Sequence, residues 1–393
     1  MPPSTHGSRP SRMASVYETL VTHPNSTVSS LMRQTRLSRP TITTLLDSLT
    51  EMGLVAPQGA EGSVGRPAET WAPRKDAGVV IGVDLLQHSV LLAVAQLDGE
   101  IIETDHRSGL SVDSSVRFRN VLDLISKHVT EGTAGPPRAI VISTTGTVDL
   151  DGRLMRSDAV PQWEGFDLGK ELSQRLRLPV RIENDVNAAA FGEFALRCGD
   201  GSLSPGDDLL LIALSRAIVT GLVMNGKLHR GHRQNAGEVG LRIVDGVGLS
   251  PGSLARAAES IGTVSAVLDP ASIVLTLPNR ESPGIFAEII EHLRTARESS
   301  AAELNLEVSR LGQGSAIVGA LSLALQEART SLFGESTALI PIPKGLNHIT
   351  RITARGIHYP MSTVKPAASD RATLRIGVVG VGARSDIAKH FEL

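Results

Sequence analysis

The chain has 393 residues, 41% of them hydrophobic, which is enough for a small module and one or two larger lobes with real cores. Its formal net charge of −2 argues against a protein that coats nucleic acid indiscriminately and favours a localised contact surface. The single cysteine, Cys198, excludes an internal disulfide, and the sequence lacks zinc-site spacing, an apolar signal core and a bilayer-length apolar run. We therefore expect a cytoplasmic protein without membrane segments or bound metal.

Residues 38–52 carry the strongest helical pattern near the amino end. Apolar residues recur there at helical spacing, namely Ile42, Leu45, Leu46, Leu49 and Met52. Ser38 is placed to cap the first turn, Pro40 is tolerated there, and Gly53 is placed to end the helix in a left-handed conformation. We predict a helix whose exposed start carries Arg39, Thr41, Thr43 and Thr44.

Shorter patterns surround this helix. Residues 27–35 predict a second helix, joined to the first by the tight Arg36-Leu37 turn, and this pairing is typical of a helix-turn-helix. Apolar residues from Met13 to Val21 recur at intervals of three and four and predict a third helix. Leu54 and Val55 begin a strand, and the chain returns through residues 69–71 after a glycine-bearing loop, as in a wing.

This arrangement predicts DNA binding by residues 1–75. A helix fits the major groove with its first side chains against base edges, and an arginine beside glycine and proline suits the narrower minor groove. Residues 1–75 contain eight Arg or Lys and five Asp or Glu, a balance of 8 − 5 = +3. The candidate DNA-binding residues are Ser38, Arg39, Pro40, Thr41, Thr43, Thr44, Gly65, Arg66 and Pro67. Winged helices also bind proteins, so a scaffold that binds no DNA remains an alternative.

After residue 75 the pattern changes to strands that alternate with helices, which predicts an α/β domain. Residues 79–106 read as three strands with a turn at 97–100, and residues 209–230 repeat this meander with a turn at Asn225-Gly226. Two meanders, each followed by helices, predict two similar lobes that face a cleft. Asn184, Asp185 and Glu238 then lie where strands end and the lobes meet, a usual place for ligands.

These segments resemble a known family. IGVD with the LDGEI turn, IENDVNAAAFGE, LIALSRAIVTGLVMNGKLHRG and NAGEVGLRIVD are similar to the ROK family, which groups bacterial sugar kinases with sugar-responsive repressors on an actin-like ATPase fold. The winged amino end and its Gly-Arg-Pro sequence resemble the repressor branch. The resemblance covers roughly residues 12–330 and implies a two-lobed actin-like domain.

Departures from the kinase pattern bear on catalysis. The resemblance implies a phosphate-binding D-x-G-G-T sequence after the first strand, where Asp84 remains but Leu86, Gln87 and His88 follow. A second glycine-rich loop is replaced by residues 215–219, SRAIV. Glycines let backbone N–H groups approach a phosphate, so we expect no ATP site, no catalysis and no cofactor.

The resemblance also assigns roles in the cleft. Asp185 matches the kinase general base, and Asn184 and Glu238 match sugar contacts, whereas other contact positions have become Ala159, Leu241 and Ala255 and the family's zinc loop is missing. The alternative for Asn184 and Asp185 is that they only cap a helix.

The carboxyl end differs from the rest. We assign residues 1–75 to a winged helix-turn-helix, 76–335 to a ROK-like effector domain and 336–393 to an irregular tail. The tail ends in Gly380-x-Gly382-x-x-Ser385, which resembles the opening of an NAD-binding domain but stops before the acidic residue that would hold the ribose. We expect no dinucleotide site, and we expect a chain that ends near Glu335 to keep its DNA affinity.

Together these features predict a sequence-specific transcriptional repressor. We expect it to bind double-stranded DNA as a homodimer or homotetramer and to respond to a carbohydrate. The enzyme alternative is an ATP-dependent carbohydrate kinase with a fused DNA-binding head.

Overall fold

The computed structural model describes residues 8–61, 68–132, 134–157, 161–214, 218–239, 251–276, 287–289, 291–292, 305–334 and 340–353. The chain divides into the units Met1–Tyr359 and Pro360–Leu393, and all the described residues belong to the first. The NAD-like sequence around Gly380 therefore lies outside the described residues.

The amino-terminal head is a winged helix-turn-helix, as the sequence predicts. It contains three helices, α1 Arg9–Thr22, α2 Val28–Thr35 and α3 Arg39–Glu51, and a three-stranded antiparallel sheet, β1 Ser26–Thr27, β2 Val55–Glu61 and β3 Ala68–Pro73. The strand order is β1-β3-β2, with Val55 paired to Pro73. Side chains of all three helices share one core, so each helix is held by the others rather than by its own short length.

The first lobe of the large domain is built on a five-stranded sheet. Its strands are β4 Val79–Leu85, β5 Ser89–Gln96, β6 Ile101–Ser108, β7 Pro137–Thr144 and β10 Val180–Asn184, in the order β10-β7-β4-β5-β6. The meander β4-β5-β6 is antiparallel, whereas β7 and β10 run parallel to β4. Helices α4 Ser114–Thr130 and α5 Leu168–Leu176 pack against it, and the small hairpin β8 Thr147–Val148 and β9 Leu154–Arg156 lies between β7 and α5 in the sequence.

The second lobe repeats this plan. Its sheet contains β11 Leu209–Leu214, β12 Ile218–Met224, β13 Lys227–Leu228, β14 Ser272–Thr276 and β15 Leu306–Val308, in the order β13-β12-β11-β14-β15. Asn225 and Gly226 both have positive φ, 49° and 70°, as a tight two-residue hairpin requires. The two predicted meanders are confirmed, and helix α7 Pro251–Leu268 belongs to this lobe.

Two long helices lie between the sheets. Helix α6 Asp185–Gly199 and helix α8 Ser315–Phe333 pack against each other, and α8 also contacts β4 and β7. Glycines permit this contact: a Cβ at Gly319 would lie 1.7 Å from the carbonyl oxygen of Ala188, and one at Gly192 would lie 2.5 Å from that of Ser315. Real side chains at either position would force the helices apart.

The segment after α8 differs from the expected irregular tail. Residues 340–353 pack on the domain and end in helix α9 Asn347–Thr353, in which Ile349 is 4% exposed. The Lys344 N–H donates to the Gly99 carbonyl, and the Ile101 N–H donates to the Lys344 carbonyl, so the segment extends the β5–β6 turn. The polar and proline-rich composition of this stretch concealed its pairing with a turn more than two hundred residues away.

Candidate DNA-reading surface and ligand cleft

The start of α3 presents the predicted DNA-reading residues together. Ser38 has extended backbone and caps the helix, accepting a hydrogen bond from the Thr41 N–H, and its hydroxyl lies 2.8 Å from that of Thr41. Ile42 and the three leucines of α3 are buried, which fixes the opposite face toward solvent. Met52, predicted on the apolar face, is 36% exposed because it follows the last turn.

Arg39 is the most prominent group on this face. It is exposed, and its guanidinium makes no hydrogen bond or ion pair with another described residue. Thr43 and Thr44 are also exposed, although the Thr43 hydroxyl donates to the Arg39 carbonyl at 3.1 Å. A free guanidinium at a helix start is suited to bidentate contact with a guanine edge.

Two further arginines flank this helix start, and sequence reasoning missed them. Arg33 is exposed in the last turn of α2, and the exposed Arg36 adopts φ 59° at the end of that helix, where its N–H donates to the Met32 carbonyl. Arginines are common phosphate contacts in such modules. Their position beside the turn was readable in the sequence, but Arg36 was interpreted only as a linker residue.

The wing is present in part. Strands β2 and β3 pair with an irregularity between Pro57 and Ala60. The predicted minor-groove residues Gly65, Arg66 and Pro67 lie outside the described residues, so the hypothesis for them remains a prediction.

In the large domain, Asn184 and Asp185 lie at the carboxyl end of β10, where α6 begins. The amide oxygen of Asn184 accepts hydrogen bonds from the N–H groups of Val186 and Asn187, and its nitrogen donates to the Gly146 carbonyl at 2.7 Å. Asn184 therefore caps α6, and the ligand contact expected for it remains a prediction. One amide proton remains for another partner.

Asp185 is electrostatically coupled to two other carboxylates. Its pKa is raised to about 7, first by burial, then by the charge of Asp84 and more weakly by that of Glu238. The charge of Glu238 thus acts on Asp185, although the two residues are far apart in sequence. A carboxylate with such a pKa is half ionised near neutrality and can accept a proton from a hydroxyl group.

Asp84, the penultimate residue of β4, is the carboxylate with the larger effect on Asp185. It is 1% exposed, and its Oδ1 accepts a hydrogen bond from the Ser143 hydroxyl at 2.7 Å. Its Oδ2 is buried without a hydrogen-bond partner among the described residues, and burial raises its pKa to about 6. A buried unpaired oxygen favours the protonated acid.

Glu238 follows a close crossing of two backbone segments. The Gly237 carbonyl accepts a hydrogen bond from the Thr220 N–H at 2.9 Å. Gly237 has φ 93°, and there is no space for a side chain, because a Cβ would lie 1.9 Å from the Thr220 carbonyl oxygen. Glu238 itself is exposed. Glu238 is therefore an accessible carboxylate that directly follows a backbone position fixed by close packing.

Glu183 connects the two lobes, and sequence reasoning did not find this role. It is 3% exposed, and its Oε2 accepts from Arg230 of the second lobe, at 2.5 and 2.9 Å, and from Arg181 of its own strand at 2.9 Å. Its Oε1 accepts from the Asn187 side chain. Only the lobe arrangement could reveal a partner 47 positions away.

Arg117 of α4 is hydrogen-bonded to the backbone of the β4–β5 loop. In the kinase pattern described above, this loop contains glycines. The guanidinium donates to the carbonyl of Gln87 at 2.6 Å and to that of Leu86, and it is 1% exposed. Burial lowers the Arg117 pKa to about 10. Leu86 is buried, whereas Gln87 and His88 are exposed, so side chains stand where the kinase pattern has two glycines and a threonine.

Several other predicted positions lie outside the described residues. The second loop, residues 215–217, and the positions Ala159 and Leu241 lie outside the described residues, whereas Ala255 is part of α7. No group of three metal-ligating side chains occurs among the described residues. No helix in the described part of the chain is long and apolar enough to span a membrane.

Two family models match the chain. Residues 80–252 match the ROK family, and residues 13–69 match the sugar-specific transcriptional regulator TrmB. The boundary between the two matches falls where β3 ends and β4 begins.

Curated relatives include both regulators and enzymes. The chain is 26% identical to the xylose repressor of Bacillus subtilis over 226 residues, 56% of this chain and 58% of the relative. It is 30% identical to the glucokinase of Streptomyces coelicolor over 164 residues, 42% of this chain and 49% of the relative. The chain thus spans about half the length of the curated relatives it matches.

Solved structures support the architecture. A ROK family transcriptional regulator, described as a homolog of the E. coli MLC protein, superposes with a TM-score of 0.64 at 16% identity, covering 84% of this chain and 99% of that one. A ROK hexokinase from Thermus thermophilus superposes with a TM-score of 0.52 at 20% identity, covering 64% and 99%. At these identities the likeness concerns the fold alone. Residues 80–252 are therefore similar to the ROK family, and the whole described chain shares the fold of these solved structures, a two-lobed domain behind a winged helix-turn-helix head.

Proposed function

We propose that this protein is a sugar-responsive transcriptional repressor that binds operator DNA through the first turns of α3. Arg39 supports this proposal most strongly, because it is exposed at the start of α3 and has no partner among the described residues. The head that contains it is followed by a segment that matches the ROK family. Several relatives are named xylose repressors, and the head matches a family of sugar-specific regulators.

The ligand site of the proposal is the edge of the cleft at Asp185. Carboxylates accept hydrogen bonds from sugar hydroxyls, and the charge of Glu238 contributes to the raised pKa of Asp185. Asn184 contributes its remaining amide proton, while its oxygen stays on α6. Because several relatives are named for xylose, D-xylose is the first probe to use.

The same proposal assigns the protein no catalytic activity. Its support is the β4–β5 loop, where Leu86 and Gln87 stand in place of two glycines, His88 stands in place of a threonine, and Arg117 donates to the loop carbonyls. A phosphate needs several backbone N–H groups at close range, and exposed side chains obstruct that approach.

A second function, carbohydrate kinase activity, is favoured by one observation. Asp185 has a pKa of about 7, which suits a general base, and glucokinases are among the relatives. A coupled ADP-release assay with ATP and a sugar panel distinguishes the two. If the parent protein turns over ATP and Asp185→Asn abolishes this activity, the protein is a kinase. The proposal of a repressor that has no catalytic activity would then be refuted.

The proposed partner is an operator with two half-sites, read by two heads of a symmetric homo-oligomer. Two contacts multiply discrimination without enlarging either head. The direct test selects genomic DNA fragments bound by the full chain and measures their affinity with and without D-xylose. Salt-sensitive, sequence-selective binding supports the proposal, whereas indifference to every duplex would refute it and favour a protein-binding scaffold.

A further inference from the structure

The DNA-binding head shares a buried interface with the last long helix of the ROK domain. Glu18 of α1 and Arg329 of α8 form an ion pair at 2.7 Å, with side-chain exposures of 7% and 3%. Next to this pair, the rings of Tyr17 and Phe333 lie 5.5 Å apart, and both are fully buried. The head is therefore joined to the domain by a desolvated contact rather than by a linker alone.

The same interface has a second attachment from the carboxyl-terminal segment. The Lys344 ammonium donates to the Val21 carbonyl at 3.0 Å, at the end of α1. The backbone of Lys344 is bonded to the β5–β6 turn, and Arg329 donates to the Leu97 carbonyl of that turn at 3.0 Å. A Cβ at Gly99 would lie 2.5 Å from the Ile342 carbonyl oxygen, so the turn and the segment are in close contact.

Helix α8 also reaches the cleft. Its amino-terminal half crosses α6 at Gly319 and Gly192, where backbone meets backbone, and α6 begins at Asn184 and Asp185. Because neither glycine position leaves room for a side chain, displacement of α6 displaces α8 at the crossing. Packed helices transmit such displacements as rigid bodies, since close-packed interiors have little compressibility.

We infer that α8 is the mechanical link between the ligand cleft and the DNA-binding head, and that Glu18, Arg329 and Lys344 are the positioning residues that attach the head to it. This inference rests on the proposed function for its biological meaning. The attachment itself is a property of the chain that is measurable without DNA or ligand. It also reverses the expectation that residues beyond Glu335 are dispensable for DNA affinity.

The first test is hydrogen exchange on the full chain with Arg329→Met, Glu18→Gln, the double variant and Lys344→Met. Arg329→Met leaves a buried carboxylate unpaired, so the amides of α1 should exchange at least tenfold faster. The double variant, which leaves no charge unpaired, should recover much of that protection. The control is Arg175→Met, which removes an exposed pair with Glu171 on α5.

The second test displaces α8 at the far end. Gly319→Ala forces α6 and α8 apart, and its matched control is Gly206→Ala, where a Cβ meets nothing within 4 Å. We expect Gly319→Ala, but not Gly206→Ala, to change exchange in α1. In the background of Arg329→Met, which already loosens the head, this further effect on α1 should shrink, which a merely local loss of packing would not produce.

The outcomes separate the two proposals. Protection in β4 and β7 reports whether the large domain is folded in each variant. If Arg329→Met and Gly319→Ala leave α1 exchange unchanged while β4 and β7 stay protected, the link is refuted. If these variants change α1 as expected but the parent protein selects no duplex, the link stands and the proposed DNA-binding function fails.

Discussion

Arg230 of the second lobe bonds to the buried carboxylate of Glu183 in the first lobe, with two of its nitrogens 2.5 and 2.9 Å from Oε2. This contact lies one strand position before the Asn184 cap and so joins the lobes next to the candidate ligand site. It fixes the cleft in the arrangement described here.

Arg230→Met should destabilise the protein by about 1 to 3 kcal/mol, because a buried carboxylate loses one of its two cationic partners. Arg181 remains, which keeps the loss below that of a fully unpaired charge. Urea unfolding measures the change. The control variant Arg175→Met removes an exposed ion pair, so its free energy of unfolding should change by no more than about 0.5 kcal/mol. An equal loss in both variants would show that the interlobe contact stabilises the protein no more than an exposed pair does.

Asp185 should make stability depend on pH. Its folded pKa of about 7 lies above the ordinary value of 3.8, so the folded state binds more protons than the unfolded state between these values. Stability therefore falls as pH rises from about 4 to 7, by roughly 1 to 3 kcal/mol after allowance for partial solvent access. Thermal unfolding between pH 5 and pH 8 measures this slope.

The matched variant is Asp185→Asn, which cannot ionise and also removes the charge that faces Asp84. We expect a flatter pH dependence and a higher unfolding temperature than the parent at pH 8, with little difference at pH 5. A parent protein whose stability rises steadily over this range would contradict the assigned burial of the two carboxylates.

Arg39→Ala should weaken operator binding by about 1 to 3 kcal/mol and relax the base preference, because a bidentate contact to a base edge is lost. Arg33→Ala and Arg36→Ala should weaken binding similarly for every sequence and lower the salt dependence by about one phosphate contact each. Arg66→Ala should weaken binding with a smaller change in preference. Affinity measurements at several salt concentrations distinguish these classes, and four variants with the parent's affinity would remove the contact assignment.

Arg117→Met should loosen the β4–β5 loop without opening a nucleotide site. The carbonyls of Leu86 and Gln87 lose their buried donor, which costs about 1 to 3 kcal/mol each when no water replaces it. Unfolding free energy and ATP titration by calorimetry check the two parts. If this variant bound ATP tightly, the loop conformation that Arg117 stabilises, and not the side chains of the loop, would be what excludes the nucleotide.

The sequence predicted the head well because its helices are amphipathic and its caps are chemically specific. Ser38 caps α3 and Gly53 adopts φ 70° after its end, as the residue types require. The two meanders were predictable for the same reason, since turns such as Asn225-Gly226 have few conformations open to them.

Long-range pairs could not be predicted in this way. Glu18 and Arg329 are more than three hundred positions apart, and each alone has the appearance of a solvated surface charge on a helix. The cap formed by Asn184 was expected only as the alternative to a ligand contact, because both roles suit the same residue type. The attachment of residues 340–353 depends on backbone bonds to the β5–β6 turn, which leave no pattern in side-chain chemistry.

We propose that the region around Asp185 binds a sugar and that this binding controls the DNA-binding head. The most direct measurement is the affinity of the purified full chain for its selected operator, titrated separately with D-xylose, a panel of other sugars and ATP. We predict that one sugar changes operator affinity by roughly fivefold to a hundredfold, the usual range of allosteric coupling, that Asp185→Asn abolishes this response, and that ATP has no effect. Tight ATP binding in the cleft, or operator affinity that no sugar alters, would contradict the account.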